Sequence, residues 1–235
     1  MPIVPLNTVG YESIPKSYPE MRKILDTYNE NFRWIEMLIN QGTLDQANLS
    51  ASFIVAQNVA NFFNFRIPGN YYTNMLTAGR LTSSPAQINR LFAIPFPVPT
   101  TQNFDRIALN VSEAAAGMCR LGIYADNGRI YPGTLVSDVG EVNTGVAGMR
   151  EITVTLALNA GFYWLVCLFN TMPSVSGVPI ASMIHFGYRI ENINSDPQVG
   201  WQVLSFPYGG LPGSFPINAT SVSGVIPAVF LRKAV

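Results

Sequence analysis

Two adjacent stretches constrain this chain more than any other part of it. In EITVTLAL, residues 151–158, the apolar Ile152, Val154, Leu156 and Leu158 alternate with Thr153, Thr155 and Ala157. A period of two sends one set to each face of an extended chain, so the segment reads as a half-buried strand. After Asn159, Ala160 and Gly161 comes FYWLVCLF, residues 162–169, apolar at every position. A run with no polar face fits a central strand covered on both sides, with the Asn-Ala-Gly step as the turn.

Seven further segments share this character: LFAIPFPV (91–98), FDRIALNV (104–111), MCRLGIY (118–124), GTLVSD (133–138), SMIHFGYR (182–189), WQVLSF (201–206) and VIPAVFL (225–231). Gly, Pro and Asn turns space them, and no helical run interrupts them. That pattern predicts a mainly β fold, an antiparallel β-sandwich or jelly roll over residues 86–235, and not a parallel α/β sheet. Asn127-Gly128 fits a hairpin turn, and Pro132-Gly133 fits a turn because Pro fixes φ and Gly accepts positive φ. No repeat of fixed period is present, which disfavours propellers and solenoids.

One segment near the start breaks the pattern. In MRKILDTYNENFRWIEMLI, residues 21–39, the apolar Met21, Leu25, Tyr28, Phe32, Ile35 and Ile39 are spaced four, three, four, three and four apart. This is a heptad pattern, with Leu25, Phe32 and Ile39 at a and Met21, Tyr28 and Ile35 at d. Ser17 and Glu20 make a capping box with Pro19 in the first turn, and Gly42 supplies a stop, so a helix is expected over 17–41. Ile24 and Leu38 fall at g and widen the apolar face. Such a face suits three helices in a short coiled coil, or a helix lying on its own domain. Trp34 and Met37 lie on the remaining side and are docking candidates. A helix this short is marginal alone, so its apolar face needs a partner. Residues 1–16, with three prolines, read as an extended arm, and 42–85 as a connector.

Composition narrows the partners. Charged residues make up only 12%, fourteen basic and fourteen acidic, for a formal net charge of zero. A neutral chain without a basic run gains little from counterion release, so nucleic acid is not an expected partner. Low charge does favour association of copies. The N-terminus shows no basic stretch followed by an apolar run, so a secretory signal is not expected. The most apolar window, 157–169, is short for a bilayer and broken by Asn159 and Gly161. A soluble protein without membrane insertion is therefore expected.

Candidate chemistry is sparse. Cys119 and Cys167 lack CxxC spacing and read as reduced core thiols, with a disulfide across the two sheets as the alternative; no metal or cofactor is expected. The single histidine, His185, has no serine or cysteine motif beside it. Asp126, Asp138 and Glu141 are close enough in sequence to be weighed as a glycosidase set, although turn and rim roles account for them equally. The loop YGGLPGSF, 208–215, has no following Lys and is not a phosphate cradle. For glycan binding the candidates are Tyr71 and Tyr72 in one loop and Trp201, Phe206 and Tyr208 in another, against the competing role of aromatics as core.

The stretch from Arg120 onward carries a resemblance. R-L-G-I-Y at 120–124, a polar turn at 126–128, P-G-T-L at 132–135, the aromatic strand entered through Gly161 to Trp164, and PAVFLR at 227–232 together resemble a β-sandwich domain of tailed-bacteriophage virion proteins. Those proteins are tail fibres, head fibres and other appendages. The resemblance implies a non-enzymatic virion structural protein at the particle surface, assembled in the host cytoplasm. It implies three chains around one axis, with other virion proteins as partners. On this reading the arm and helix attach the molecule and the sandwich is displayed. Two rivals remain: a receptor module for a host-surface glycan, and a polysaccharide hydrolase.

Overall fold

In a computed structural model of the chain, which describes residues 66–73, 80–187 and 197–235, the period-two segments form antiparallel strands. In chain order they begin with β1 (Tyr71–Tyr72), β2 (Thr82–Pro85), β3 (Leu91–Val98), β4 (Gln102–Glu113), β5 (Met118–Asp126) and β6 (Pro132–Asn143). They continue with β7 (Gly148–Leu158), β8 (Gly161–Phe169), β9 (Ser174–Pro179), β10 (Trp201–Val203), β11 (Thr220–Ser221), β12 (Val225–Pro227) and β13 (Val229–Lys233). The expected arm and helix lie outside the described residues. With them lie the helix-face positions Met21, Ile24, Leu25, Tyr28, Phe32, Ile35, Leu38 and Ile39, and the docking candidates Trp34 and Met37.

The strands form two sheets, and every ladder between them is antiparallel. The first has seven strands with β4 as its hub. Along one side β4 pairs with β7, from Gln102 opposite Leu158 to Val111 opposite Gly148. It also pairs with β13, Ile107 opposite Leu231, and with β9, Val111 opposite Val175. β9 in turn pairs with β2. The second sheet runs β11-β10-β3-β8-β5-β6.

The inner faces of both sheets meet in one apolar cluster. Ile107, Leu109 and Val111 come from the first sheet; Ile94, Phe96, Ile123, Leu165 and Phe169 come from the second. Phe96 and Phe104 meet edge to face, 5.7 Å between ring centres. Burying a side chain of this size contributes roughly 1.5–3 kcal/mol, so this interface dominates stability. β8 sits between β3 and β5 and is covered twice. Its Leu165, Cys167 and Phe169 join the inner cluster, while Trp164, Val166 and Leu168 join a second cluster on the opposite face. An all-apolar strand is what such two-sided cover requires.

Several segments differ from the pattern expectation. SMIHFGYR does not extend a ladder: Ile180–Ser182 is one turn of 3-10 helix, and 183–187 run irregularly. The reason is that its apolar residues serve different clusters, Met183 the inner one and Phe186 the outer one, so the chain crosses between layers. Pro132-Gly133 is not a turn but the head of β6, a strand start where a missing N–H is tolerated. WQVLSF ends as a strand at Val203, and Ser205 takes φ 56° in the turn that follows. β9, SVSGVP, has weak strand propensity; a Cβ on Gly177 would stand 2.5 Å from Val225 Cγ1, so glycine is what admits β12 alongside. β1 and β2 fall within the stretch read as a connector and pair with β13 and β9.

Cys119 and Cys167 are free and buried on neighbouring strands of the inner cluster. Burial, reinforced by the adjacent Cys167, pushes the Cys119 thiol well above the usual range, so neither chemistry nor solvent reaches it readily. A chromogenic thiol reagent is therefore expected to find no reactive cysteine in the native protein and two per chain once it is denatured. Fast reaction of either thiol under native conditions would contradict this placement.

Candidate functional site

The outer face of the second sheet is where the sequence candidates converge. Along β5, Leu121 and Ile123 enter the inner cluster, so Gly122 between them and Tyr124 after them face outward. The segment 204–219 lies over this face as a roof. Tyr124 donates its hydroxyl to the Pro212 carbonyl at 2.6 Å, and the Leu211 amide donates to Asp138 Oδ2 at 3.1 Å. The amides of Leu135 and Phe215 donate to the carbonyls of Gly213 and Gly133, each at 2.9 Å. Tyr131 donates to the Pro216 carbonyl and accepts from the Ala219 amide. A Cβ at position 122 would stand 2.2 Å from Leu211 Cδ1, so the glycine of R-L-G-I-Y is the seat on which the roof rests.

Rings fill the space beneath. Tyr124 and Phe215 meet edge to face at 5.3 Å, Tyr131 and Trp201 lie 4.6 Å apart, and Phe162 and Trp164 are 5.5 Å apart. Of the glycan candidates, Trp201, Phe206 and Tyr208 are brought together here, half-buried against this cluster. Trp201 Nε1 donates to the Ile130 carbonyl at 2.9 Å. The Tyr208 hydroxyl is buried and finds no hydrogen bond of good geometry. Burial raises the pKa of Tyr124, Tyr131 and Tyr208, and for Tyr208 the nearby Glu141 carboxylate adds to the effect.

Tyr71 and Tyr72 are not part of this surface. They belong to the first sheet, where Tyr71 donates its hydroxyl to Glu151 and Tyr72 accepts from the Ile67 amide. Beside them Arg66, which no sequence pattern singles out, places its guanidinium 4.3 Å over Phe96. It donates to Gln102 Oε1 at 3.0 Å and to the Pro97 carbonyl at 2.7 Å. Burial pushes its pKa down to about 10, which still leaves the group charged at neutral pH.

The three acidic candidates have structural partners. Asp126 Oδ1 accepts from the amides of Gly128 at 2.7 Å and Ile130 at 3.3 Å, closing the β5–β6 turn, and Oδ2 accepts from Trp164 Nε1 at 2.9 Å. Gly128 takes φ 83° there, a backbone state that suits glycine. Arg120 grips Asp138 through Nε and Nη2, each as close as 2.9 Å, and Glu141 through Nη1 at 3.0 Å. Asp138 stands opposite Gly122, four residues along β5 from Asp126. Strand rise puts the two backbones about 13 Å apart, and the Asp138 and Glu141 carboxylates are both engaged by the same guanidinium. His185 is exposed on the irregular segment 183–187. Among the described residues, no group of three or more His, Cys, Asp or Glu side chains is arranged to hold a metal ion.

One open hollow of about 400 Å³ lies where the β5–β6 and β7–β8 turns meet, lined by Ala125, Asp126, Gly128, Gly161, Phe162 and Tyr163. It offers two ring edges and backbone, with both Asp126 oxygens already accepting hydrogen bonds. No family model matches this chain, and no curated protein matches it.

Two outcomes test the roof. Tyr124→Phe removes a buried bond and leaves the Pro212 carbonyl short of a donor, so chemical denaturation is expected to show a loss of about 1–2 kcal/mol. Tyr208→Phe removes a hydroxyl that lies beside Glu141 without a well-formed hydrogen bond, so its effect is expected to be smaller than that of Tyr124→Phe. The raised phenol pKa values fix a second outcome. A folded pKa above the unfolded value near 10 favours the neutral phenol, so this contribution is complete below about pH 10 and lost as pH climbs through the folded values. Tryptophan emission is thus expected to hold steady to about pH 9 and to change above pH 10 together with late tyrosine ionisation. Tyrosines that all titrate near 10 with no change in emission would contradict the burial.

Proposed function

We propose that this chain is a non-enzymatic structural protein of a bacteriophage virion, a fibre or decoration component, trimeric and attached through its N-terminal region. The displayed part is read as an eight-strand jelly-roll sandwich. The observation that carries this reading is the pairing order. Within the two sheets, β2-β9-β4-β7 faces β3-β8-β5-β6, and the chain alternates between them with one hairpin at β5–β6. That order fits the two Greek keys of a jelly roll, an architecture that serves viral capsid proteins and lectins among others. Moving from architecture to role is an argument by analogy.

The residues that carry the resemblance support it from a second direction. Arg120 holds two carboxylates, Gly122 seats the roof, Tyr124 pins it, and Asp126 closes a turn. Those are scaffold tasks, and a scaffold is what a displayed particle component supplies. The glycan-receptor reading is weaker, because Trp201, Phe206 and Tyr208 contribute to the roof. It falls back on the hollow at Phe162 and Tyr163.

Antibody labelling of purified particles, together with light scattering of the full chain, tests the proposal. Label on the particle surface is expected, and in solution a mass three times the 25.7 kDa chain at low micromolar concentration. Leu25→Asp combined with Phe32→Asp is expected to abolish both the trimer and incorporation. A chain absent from particles, or a double variant that assembles unchanged, overturns it.

A further inference from the structure

The edges of the two sheets are not alike. An open strand edge presents unpaired N–H and C=O groups, and proteins blunt such edges with short strands, proline, bulges or charge. β1 and β11 are two residues long, β2 ends at Pro85, and β12 is three residues ending at Pro227. β6 is twelve residues long, but it opens with Pro132, carries Asp138 and Glu141, and is broken by three register shifts.

β7 is less protected: it carries Arg150, on its inward face, and Glu151 near its start, and one extra residue between Thr153 and Leu156 opposite Phe104–Arg106, and from Ile152 to Leu158 it has no charged residue. It is eleven residues long, contains no proline or lysine, and among the described residues it pairs only with β4. Its inward side chains, Ile152, Val154 and Leu156, remain half-buried although they pack on the inner cluster. The strand is thus long, and its inward face is apolar from Ile152 onward.

From this we infer that β7 is a pairing edge, and that its occupant is β7 of a second copy of this chain. Self-complementarity selects that occupant. In an antiparallel two-fold pairing centred on Thr153, all eleven residues overlap. Ile152 faces Val154 of the other copy, Glu151 faces Thr155, Arg150 faces Leu156, and Thr153 faces its own equivalent. No like charges oppose each other, and β-branched and Thr–Thr pairs are favourable neighbours across strands. Centring on Arg150 or Glu151 would instead set identical charges face to face, so charge limits the register. A formal net charge of zero leaves no general repulsion between copies. The contact is two-fold and cannot close within a three-fold ring, so in a trimer it joins chains of different trimers.

Cross-linking in the full-length protein tests this, because the two native cysteines are buried. Thr153 and Ala157 are both exposed. In the inferred register, position 153 faces itself at about 5 Å, whereas the two copies of position 157 stand about 27 Å apart. Under mild oxidation, Thr153→Cys is expected to give a covalent dimer on a denaturing gel at least tenfold faster than Ala157→Cys or than Ala181→Cys, an exposed site off the strand. This readout is independent of the helix, so a failed trimer and a failed edge are distinguishable. Equal rates at 153 and 157 overturn the inference. So does a Thr153→Cys variant that stays monomeric, whether its new thiol alkylates freely or slowly because something else covers the edge.

Discussion

The two-sided burial of β8 is the constraint on which the rest of this structure depends. A strand with no polar face must be covered above and below, and one sheet packed on another covers only one side. The first sheet meets Leu165, Cys167 and Phe169, which leaves Trp164, Val166 and Leu168 facing outward. Water on those three residues would cost several kcal/mol. The long passage after β10 is therefore no free loop: it supplies Leu211 and Phe215 to the second cluster.

Covering an outer face with irregular chain raises a polar problem, since such chain has no ladder to satisfy its backbone. The solution accounts for most of the residues that look chemical in the sequence. Asp138 receives a roof amide while held by Arg120, and Tyr124 and Tyr131 donate to roof carbonyls. Asn89, at φ 53°, accepts from the amides of Phe206 and Tyr208 through its carbonyl and side chain. Asp138, Tyr124 and Tyr131, scattered over 124–138, thus gather because the roof needs partners, while Asp126 closes the turn beside it.

How much of this was legible varied with the kind of signal. Period two located β4, β5 and β7, because inner-face burial acts on every second residue, and an unbroken apolar run located β8, which is buried on both faces. β9 escaped notice, since Ser174, Ser176 and Gly177 carry little strand propensity and its place depends on two neighbours far along the chain. SMIHFGYR misled for the opposite reason: its apolar residues alternate, but they serve two different clusters. At the site, Trp201, Phe206 and Tyr208 could be flagged as a group, yet whether a ring faces a ligand or a roof is decided by residues 211–219. Tyr71 and Tyr72 shared a class with them and no surface. Arg66 carried no signal, because a lone arginine becomes notable only when rings such as Phe96 close around it.

Charge is handled in the same economical way. Arg120 holds Asp138 and Glu141, Arg232 holds Asp105 at 2.7 Å, and Arg106 approaches Glu151 at 3.5 Å. All of these pairs are at least partly exposed, so each contributes little to stability. Pairing them has a different effect, which is to remove the field that would keep copies apart in solution. A surface neutralised in this way must control association through the geometry of its strand edges. Shortening, proline and bulging then become the means of limiting contacts, and a long edge that has neither the shortening nor the proline concentrates association at one place.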